Sequence, residues 1–359
     1  MFDAKTVEEG IDLFGKLETG WDIVLSDTMG NIGFQMTGLA PKRREGISGF
    51  VPLPGWKKEN DWLGFYEPSE MPRIINPEKG FFATANNDLN EYGIASPINM
   101  PMGSYRADRI DQLIESRQGI SIEDVQKMHY DVYSLQAEYF MKILKPLLPD
   151  TPQAAILKDW DLKYDKDSKG AFLFEEFYKE LYQQVFGIKG LGQEAVEFLA
   201  KETGAFIDFY DNFDRVLLSE KSIWFGDRSR DEIYLSSLEK ALSISPKPWG
   251  AGRKFTMIHI LFEGKLPGFL GFDKGPITGI GSRATIHQGQ IYRSAGRDTT
   301  FFPSFRLITD MGSDEFVSNI AGGPSDRRFS RWYCSDLDNW LKGKYKKTTL
   351  KSDQQKLKF

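Results

Sequence analysis

The sequence contains few of the residues on which many hydrolases and metalloproteins rely. It has a single cysteine, Cys334, so an internal disulfide is excluded, and its only histidines are at positions 129, 259 and 287. This scarcity limits imidazole catalysis and histidine-based metal binding. The chain also has no His-Glu-x-x-His, no paired cysteines and no Gly-x-Ser-x-Gly. No zinc-hydrolase or serine-hydrolase motif is therefore visible.

Long apolar runs and an excess of one charge are also absent. No run reaches the roughly 18 apolar residues that indicate a membrane span. The net charge is −5, with both signs spread along the chain. This argues against nucleic acid as the main partner, because phosphate binding needs a concentrated basic face. The opening stretch MFDAKTVEEG lacks the features of a signal peptide. A cytoplasmic location is therefore expected unless the chain is exported with a partner.

What the chain does contain is enough apolar material for a substantial core. Hydrophobic residues make up 40% of the 359 residues, and this length permits one large domain or two smaller ones. The patterns predict strands and loops over 1–103, helices over 104–245, returning strands over 246–347, and a basic, frayed tail over 348–359. This order favours an α+β fold in which a mostly helical segment interrupts one sheet.

Local signals predict individual elements. Thr6 and Glu9 form a capping box that indicates a helix near the start, and residues 21–38 indicate a hairpin. The strongest helical periodicity covers residues 121–148. His259 falls in a predicted strand after residue 254 and is interpreted as structural. Further helices are predicted near 171–186, 192–203, 229–243 and 335–342.

Two short motifs have both a ligand-binding and a structural interpretation. Residues 165–176 nearly fit a calcium loop, but Lys169 places a cation where a ligand oxygen is required. A surface turn is the favoured interpretation, with a stand-alone calcium module as the alternative. Residues 279–284, Gly-Ile-Gly-Ser-Arg-Ala, resemble a dinucleotide fingerprint but lack the strand–turn–helix context. They are not interpreted as a nucleotide site.

The stretch FFATANNDLN, residues 81–90, ends an aromatic, strand-like run in two adjacent amides. An Asx turn is the commonest use of asparagine at such a place. The alternative is that Asn86 aims an amide donor at a developing oxyanion from the end of a rigid strand. Arg109, on the predicted helix that follows, forms either an ordinary ion pair or a contact that orients a nearby site. The residue pattern alone favours the turn.

Several longer stretches occur in a recognisable order. The first part of the chain contains GNIGFQMTGLAPKRREG, PLPGW, DWLGF, EMPRIINPEKGFFATANN and YRADRIDQLI. The second part contains RDEIYLSSLEKAL, a Trp-Gly strand start at 249–250 and GGPSDRRFSRWYCSDLDNWLKGKY. From about residue 5 to 347 this series resembles the penicillin amidase family of N-terminal-nucleophile hydrolases. The resemblance implies part of an α-β-β-α sandwich. It also implies hydrolysis of N-acyl amides such as penicillins, cephalosporin side chains and N-acyl homoserine lactones.

The resemblance also implies roles for individual residues. The family nucleophile is a serine exposed by self-cleavage, with its own α-amine as base, which suits a histidine-poor sequence. Asn86 matches the oxyanion asparagine, and Arg109 matches the arginine of the Ala-Asp-Arg segment beside the nucleophile. The nucleophile segment should lie well before Gly-Asn-Ile-Gly, yet only about thirty residues precede that stretch. We therefore expect a portion of the large (beta) chain, inactive alone, whose nucleophile comes from a second polypeptide.

Other expectations follow from the same comparison. No cofactor and no metal are predicted, since most ligands of the family's structural calcium are expected in the segment that this chain lacks. The alternative interpretation is a non-catalytic remnant or scaffold protein from a truncated gene. Its exposed sheet edge would favour association with other chains. The acyl group that the enzyme prefers is left open.

Overall fold

The computed structural model describes residues 4–188, 190–291 and 299–349. These residues form two compact units. Among the described residues, unit 1 comprises 4–107 and 309–314, and unit 2 comprises the remainder. Each unit contains its own cluster of buried apolar side chains, so each is described by itself.

Unit 1 is built on a three-stranded antiparallel sheet in the order β1-β2-β3. The predicted hairpin at 21–38 is confirmed by the pairing of β1 with β2. The predicted first helix is also confirmed, and the Thr6 hydroxyl accepts a hydrogen bond from the Glu9 amide. The regular elements are α1 (Val7–Phe14), β1 (Asp22–Ser26), β2 (Ile32–Met36), β3 (Arg73–Ile75) and the start of α2 (Tyr105–Glu115).

The Gly-Asn-Ile-Gly stretch is explained by packing and by its turn. Gly33 faces α1, where an added Cβ would lie only 2.5 Å from Val7. Asp27 accepts hydrogen bonds from the backbone amides of Met29 and Asn31 and from the Asn31 side chain. The helix therefore packs directly on the backbone of β2, and the Asp27 carboxylate closes the turn that enters this strand.

The strand predicted to end at Asn86 does not form, and residues 81–90 have no strand. They run as an irregular segment whose Phe82 ring stacks on Phe34 of β2, with centroids 4.5 Å apart. Tyr92 packs edge-on against Phe82. The strand prediction is wrong because the segment packs an aromatic side chain on the sheet instead of pairing with one of its strands. Aromatic packing on the sheet holds the segment that contains Asn86.

Unit 2 contains the rest of α2 and a block of helices. The helices predicted at 171–186, 192–203 and 229–243 are confirmed as α6, α7 and α10. Among the described helices, none is both long and apolar enough to cross a bilayer. The helices are α3 (Ile122–Met128), α4 (Leu135–Leu144), α5 (Pro152–Lys158), α6 (Lys169–Tyr182, continued by a π-helical turn, Gln183–Gly187), α7 (Gln193–Glu202), α8 (Ala205–Asp208), α9 (Tyr210–Leu218) and α10 (Arg230–Leu242).

The single helix predicted over 121–148 is wrong, because residues 129–134 separate α3 from α4. In this interval Tyr133 pairs with Lys163 in an isolated antiparallel bridge. Ser134 then caps α4, where its hydroxyl accepts a hydrogen bond from a backbone amide. The apolar spacing continues through the break, so periodicity alone did not reveal it.

The helices of unit 2 enclose an aromatic core. Phe140 of α4 packs edge-on against Tyr178 of α6, with centroids 5.3 Å apart, and Phe177 packs edge-on against Tyr234 of α10. All four rings are buried. Aromatic side chains bury a large apolar area each, and this explains how short helices form one stable block.

Short antiparallel sheets follow the helices, as the sequence predicted. Pairing joins β4 with β5, β6 with β7, and β8, β9 and β10 in the order β10-β9-β8. His259 lies beyond the end of β4, so its predicted strand placement is wrong; its backbone amide donates to Asp273 instead. Of the predicted tail, residues 350–359 lie outside the described residues. The elements are β4 (Lys254–Met257), β5 (Lys274–Thr278), β6 (Gln290–Ile291), β7 (Thr299–Phe301), β8 (Phe305–Thr309), β9 (Glu315–Ile320), α11 (Leu337–Leu341) and β10 (Lys346–Thr349).

Candidate active site

An open cavity of ≈ 630 Å³ lies in unit 1. This volume falls within the range of small-molecule sites. The wall mixes apolar and polar groups, and the described residues that form it include neither histidine nor cysteine. Prominent lining residues are Trp21, Met36, Tyr66, Met71, Asn86 and Ile98. This lining suits a small-molecule site whose chemistry does not require an imidazole.

Asn86 lies on the cavity wall in the left-handed backbone conformation, with φ at +65°. Asparagine is one of the few residues that adopt this conformation readily. The Asn86 carbonyl accepts a hydrogen bond from the Met102 amide at 2.9 Å. The next side chain, Asn87, accepts one from the Ala85 amide at 3.0 Å. The two interpretations of this stretch are therefore compatible. The Asn87 side chain closes the turn, and the turn places Asn86 on the cavity wall.

Arg106 determines which way the Asn86 amide faces. This arginine is only 8% exposed, and its Nη2 donates to Asn86 Oδ1 at 2.9 Å and to the Ala85 carbonyl at 2.5 Å. A guanidinium has donors only, so the amide oxygen must face it. The Asn86 Nδ2 group therefore points away, and no residue in the described part of the chain accepts a hydrogen bond from it. Two N–H donors remain for a group in the cavity.

Arg109 lies one turn further along α2, beyond the end of unit 1. Its guanidinium forms a two-point ion pair with Asp131, at 2.9 Å and 3.3 Å, and lies over the Tyr133 ring. The arginine that contacts Asn86 is thus Arg106, which sequence reasoning missed. Both arginines belong to the same Tyr-Arg-Ala-Asp-Arg stretch, so the motif identified the helical turn but not the residue. A role for Arg109 in the site geometry stays a prediction.

Two of the three histidines lie in a polar cluster in unit 2. His287 is 4% exposed and contacts Arg306, with 3.0 Å between Nδ1 and Nη2. His129 contacts the Tyr345 hydroxyl at 2.7 Å. Burial, followed by the charge of Arg306, lowers the pKa of His129 to about 4 and that of His287 to about 3. Both imidazoles are therefore neutral at pH 7.

These lowered pKa values predict loss of stability in mild acid. The unfolded chain protonates both histidines near pH 6.5, whereas the folded chain resists protonation down to about pH 4. Stability should therefore decrease as the pH falls from 6.5 to 4, by up to about 1.4 kcal/mol per pH unit for each histidine. Urea unfolding at a series of pH values measures this decrease. A His129→Gln, His287→Gln double variant should show a shallower decrease, and an identical slope would contradict the assignment.

The calcium-loop interpretation of residues 165–176 does not fit the structure. Ser168 caps α6, whose first residue is Lys169. The helix therefore includes residues 169–176, and their carbonyls bond within it instead of turning toward an ion. In the described ranges, no three His, Cys, Asp or Glu side chains are grouped as a metal site requires. The absence of a cofactor stays a prediction.

Comparison with known proteins establishes the family. The model of the penicillin amidase family matches residues 1–356. The chain belongs to the penicillin amidase family. Among curated relatives, acyl-homoserine lactone acylase QuiP of Pseudomonas aeruginosa is 27% identical over 390 residues, covering 95% of this chain and 46% of that protein. Penicillin acylase 2 proenzyme of Pseudomonas sp. (strain SE83) is 27% identical over 366 residues, covering 94% and 46%.

The fold of the penicillin amidase chain agrees with this assignment. Penicillin G acylase from Alcaligenes faecalis aligns with a TM-score of 0.67 at 16% identity, covering 97% of this chain and 68% of that chain. The predicted resemblance and the predicted α+β fold of N-terminal-nucleophile hydrolases are thereby confirmed. The chain spans about half the length of the curated relatives that it matches.

Proposed function

We propose that this penicillin amidase chain supplies the oxyanion donor for hydrolysis of an N-acyl amide. The observation that carries the proposal is the Asn86 amide on the cavity wall. Its oxygen is bound by the buried Arg106, and its Nδ2 group has no acceptor among the described residues. Family membership and the names of the acylase relatives support an acyl amide as the substrate class.

In the proposed reaction, a nucleophile attacks the acyl carbon and its carbonyl oxygen becomes a tetrahedral oxyanion. Asn86 Nδ2 donates a hydrogen bond to this oxygen. Arg106 positions the amide before the substrate arrives, so little reorganisation is required as charge develops. Collapse of the intermediate releases the amine and leaves an acyl-enzyme, which water then hydrolyses. By family resemblance, the nucleophile is an N-terminal serine whose α-amine acts as the base.

We further propose that a second polypeptide carries this nucleophile. Large apolar side chains are exposed within one stretch of unit 1, residues 50–65. Trp56 is 85% exposed, Val51 63% and Trp62 59%. Exposed apolar surface concentrated in this way is typical of a surface that another polypeptide covers. In this proposal the nucleophile-bearing partner covers residues 50–65.

Reconstitution tests both parts of the proposal. The chain is co-expressed with the polypeptide encoded directly upstream, the complex is isolated, and hydrolysis of a phenylacetyl anilide and an N-acyl homoserine lactone is measured. We expect the complex to hydrolyse at least one substrate and neither component to do so alone. Hydrolysis by the isolated chain would place the nucleophile within these 359 residues. A stable complex without hydrolysis would favour the non-catalytic scaffold.

A further inference from the structure

A second cavity, of ≈ 370 Å³, lies among the helices of unit 2. Aromatic rings form much of its wall, and the aliphatic side chains of Val196 and Ala200 extend the apolar surface. The aromatic lining residues are Tyr178, Tyr182, Phe206 and Trp249. A cavity of this size and lining can enclose a small apolar group.

The charged groups around this cavity are balanced except at one position. Three carboxylates line it, and each has its own cation, whereas a fourth cation, Arg253, has no carboxylate partner among the described residues. The paired groups are Arg283 with Glu175 at 2.9 Å, Lys201 with Glu197 at 3.2 Å, and Lys179 with Glu176 at 3.9 Å. Among the described lining residues, Arg253 is therefore the cation without an ion-pair partner of its own, although Glu175 and Glu176 lie near enough to attract its charge.

The Arg253 guanidinium lies against an indole ring. Its central carbon lies 3.3 Å from the ring centroid of Trp249. Trp249 is itself fixed, since its Nε1 donates to the Gly281 carbonyl at 2.9 Å. Stacking occupies one face of the guanidinium, so the N–H groups at its edge stay available to a ligand. These N–H groups make no hydrogen bond to any described residue. Burial lowers the pKa of Arg253 to about 9, so it is still charged at neutral pH.

We infer that this cavity binds an organic monocarboxylate with an aromatic tail. The edge of a guanidinium matches a carboxylate in a two-point hydrogen-bonded pair, and the aromatic wall accepts the tail. A single charge suits the site better than a phosphate dianion, because three carboxylates surround the one unpaired arginine. A cationic ligand has no unpaired carboxylate to bind among the described lining residues.

Calorimetric titration with 2-naphthoate and its neutral analogue 2-naphthamide tests the inference. We expect saturable binding of 2-naphthoate and at least tenfold weaker binding of 2-naphthamide. Arg253→Gln should weaken 2-naphthoate binding at least tenfold and leave the amide unaffected. Arg215→Gln is the matched control, because this arginine pairs with Asp211 at the surface of α9. The control should bind 2-naphthoate as the parent chain does.

A second variant keeps the test decisive if Arg253→Gln does not fold. Ala200 is an exposed helical residue that lines the cavity, so Ala200→Trp should fill the cavity without disturbing the core. It should abolish binding of 2-naphthoate. Three results would overturn the inference: no saturable binding by the parent chain, equal binding of the amide, or full binding by Ala200→Trp. Asn86→Ala should not alter this binding, so failure of the proposed hydrolase function is distinguishable.

Discussion

Replacement of Asn86 by alanine is expected to lower the turnover of the reconstituted enzyme about 10²–10³-fold, the usual effect of losing one oxyanion donor. The Nδ2 donors contribute most when the substrate carbonyl has become an oxyanion. The loss should therefore fall on kcat, with a small change in KM. Steady-state kinetics on a chromogenic N-acyl anilide measure both constants.

Two further variants separate hydrogen-bond donation by the Asn86 side chain from its packing. Asn86→Asp keeps the shape of the side chain and its contact with Arg106 but removes both N–H donors, so it should lose as much turnover as Asn86→Ala. Arg106→Lys removes the guanidinium that positions the amide and should also lower kcat. Asn212→Ala, on the exposed face of α9, is the control that should leave kcat unchanged. An active Asn86→Asp enzyme would exclude the donor role.

Replacement of Arg283 by methionine is expected to lower the free energy of unfolding of unit 2 by about 3–5 kcal/mol. Arg283 and Glu175 form a two-point pair at 2.9 Å and 3.1 Å, with side chains 12% and 13% exposed. Burial is the largest single influence on Glu175 and opposes its ionisation. The charge and hydrogen bonds of Arg283, together with the charge of Arg253 and the Tyr164 hydroxyl, nevertheless hold the pKa of Glu175 below its ordinary value. Without Arg283, Glu175 still accepts a hydrogen bond from the Tyr164 hydroxyl at 2.8 Å but has lost its two charged donors.

The comparison with an exposed pair makes this expectation specific. Arg215 and Asp211 lie at a similar distance, 2.8 Å, but the arginine is 74% exposed. Water screens such a pair, so Arg215→Met should cost less than about 1 kcal/mol. A Glu175→Leu, Arg283→Met double variant should recover part of the loss, because no buried charge is left without a partner. Urea unfolding followed by circular dichroism measures these differences. Equal effects of Arg283→Met and Arg215→Met would contradict the argument.

Local signals in the sequence correctly predicted elements whose formation depends on neighbouring residues. The Thr6 cap, the hairpin of β1 and β2, and the helices α6, α7 and α10 are of this kind. Each is specified by caps, turn residues or apolar spacing within one short segment. The family and the α+β fold were also predictable, because a series of stretches in fixed order extends over nearly the whole chain.

Tertiary packing decided what these signals could not. Two arginines one turn apart in the same motif were indistinguishable in sequence, yet Arg106 contacts Asn86 and Arg109 contacts Asp131. The aromatic run before Asn86 has the composition of a strand, but Phe82 stacks on Phe34 of β2 and the run does not pair with the sheet. Burial and hydrogen-bond partners depend on segments far apart in the chain, as in the pair of Glu175 and Arg283. By itself the sequence identified the family and singled out Asn86 as the candidate donor. The tertiary structure determined how that amide is held, because only packing brings a buried guanidinium against its oxygen.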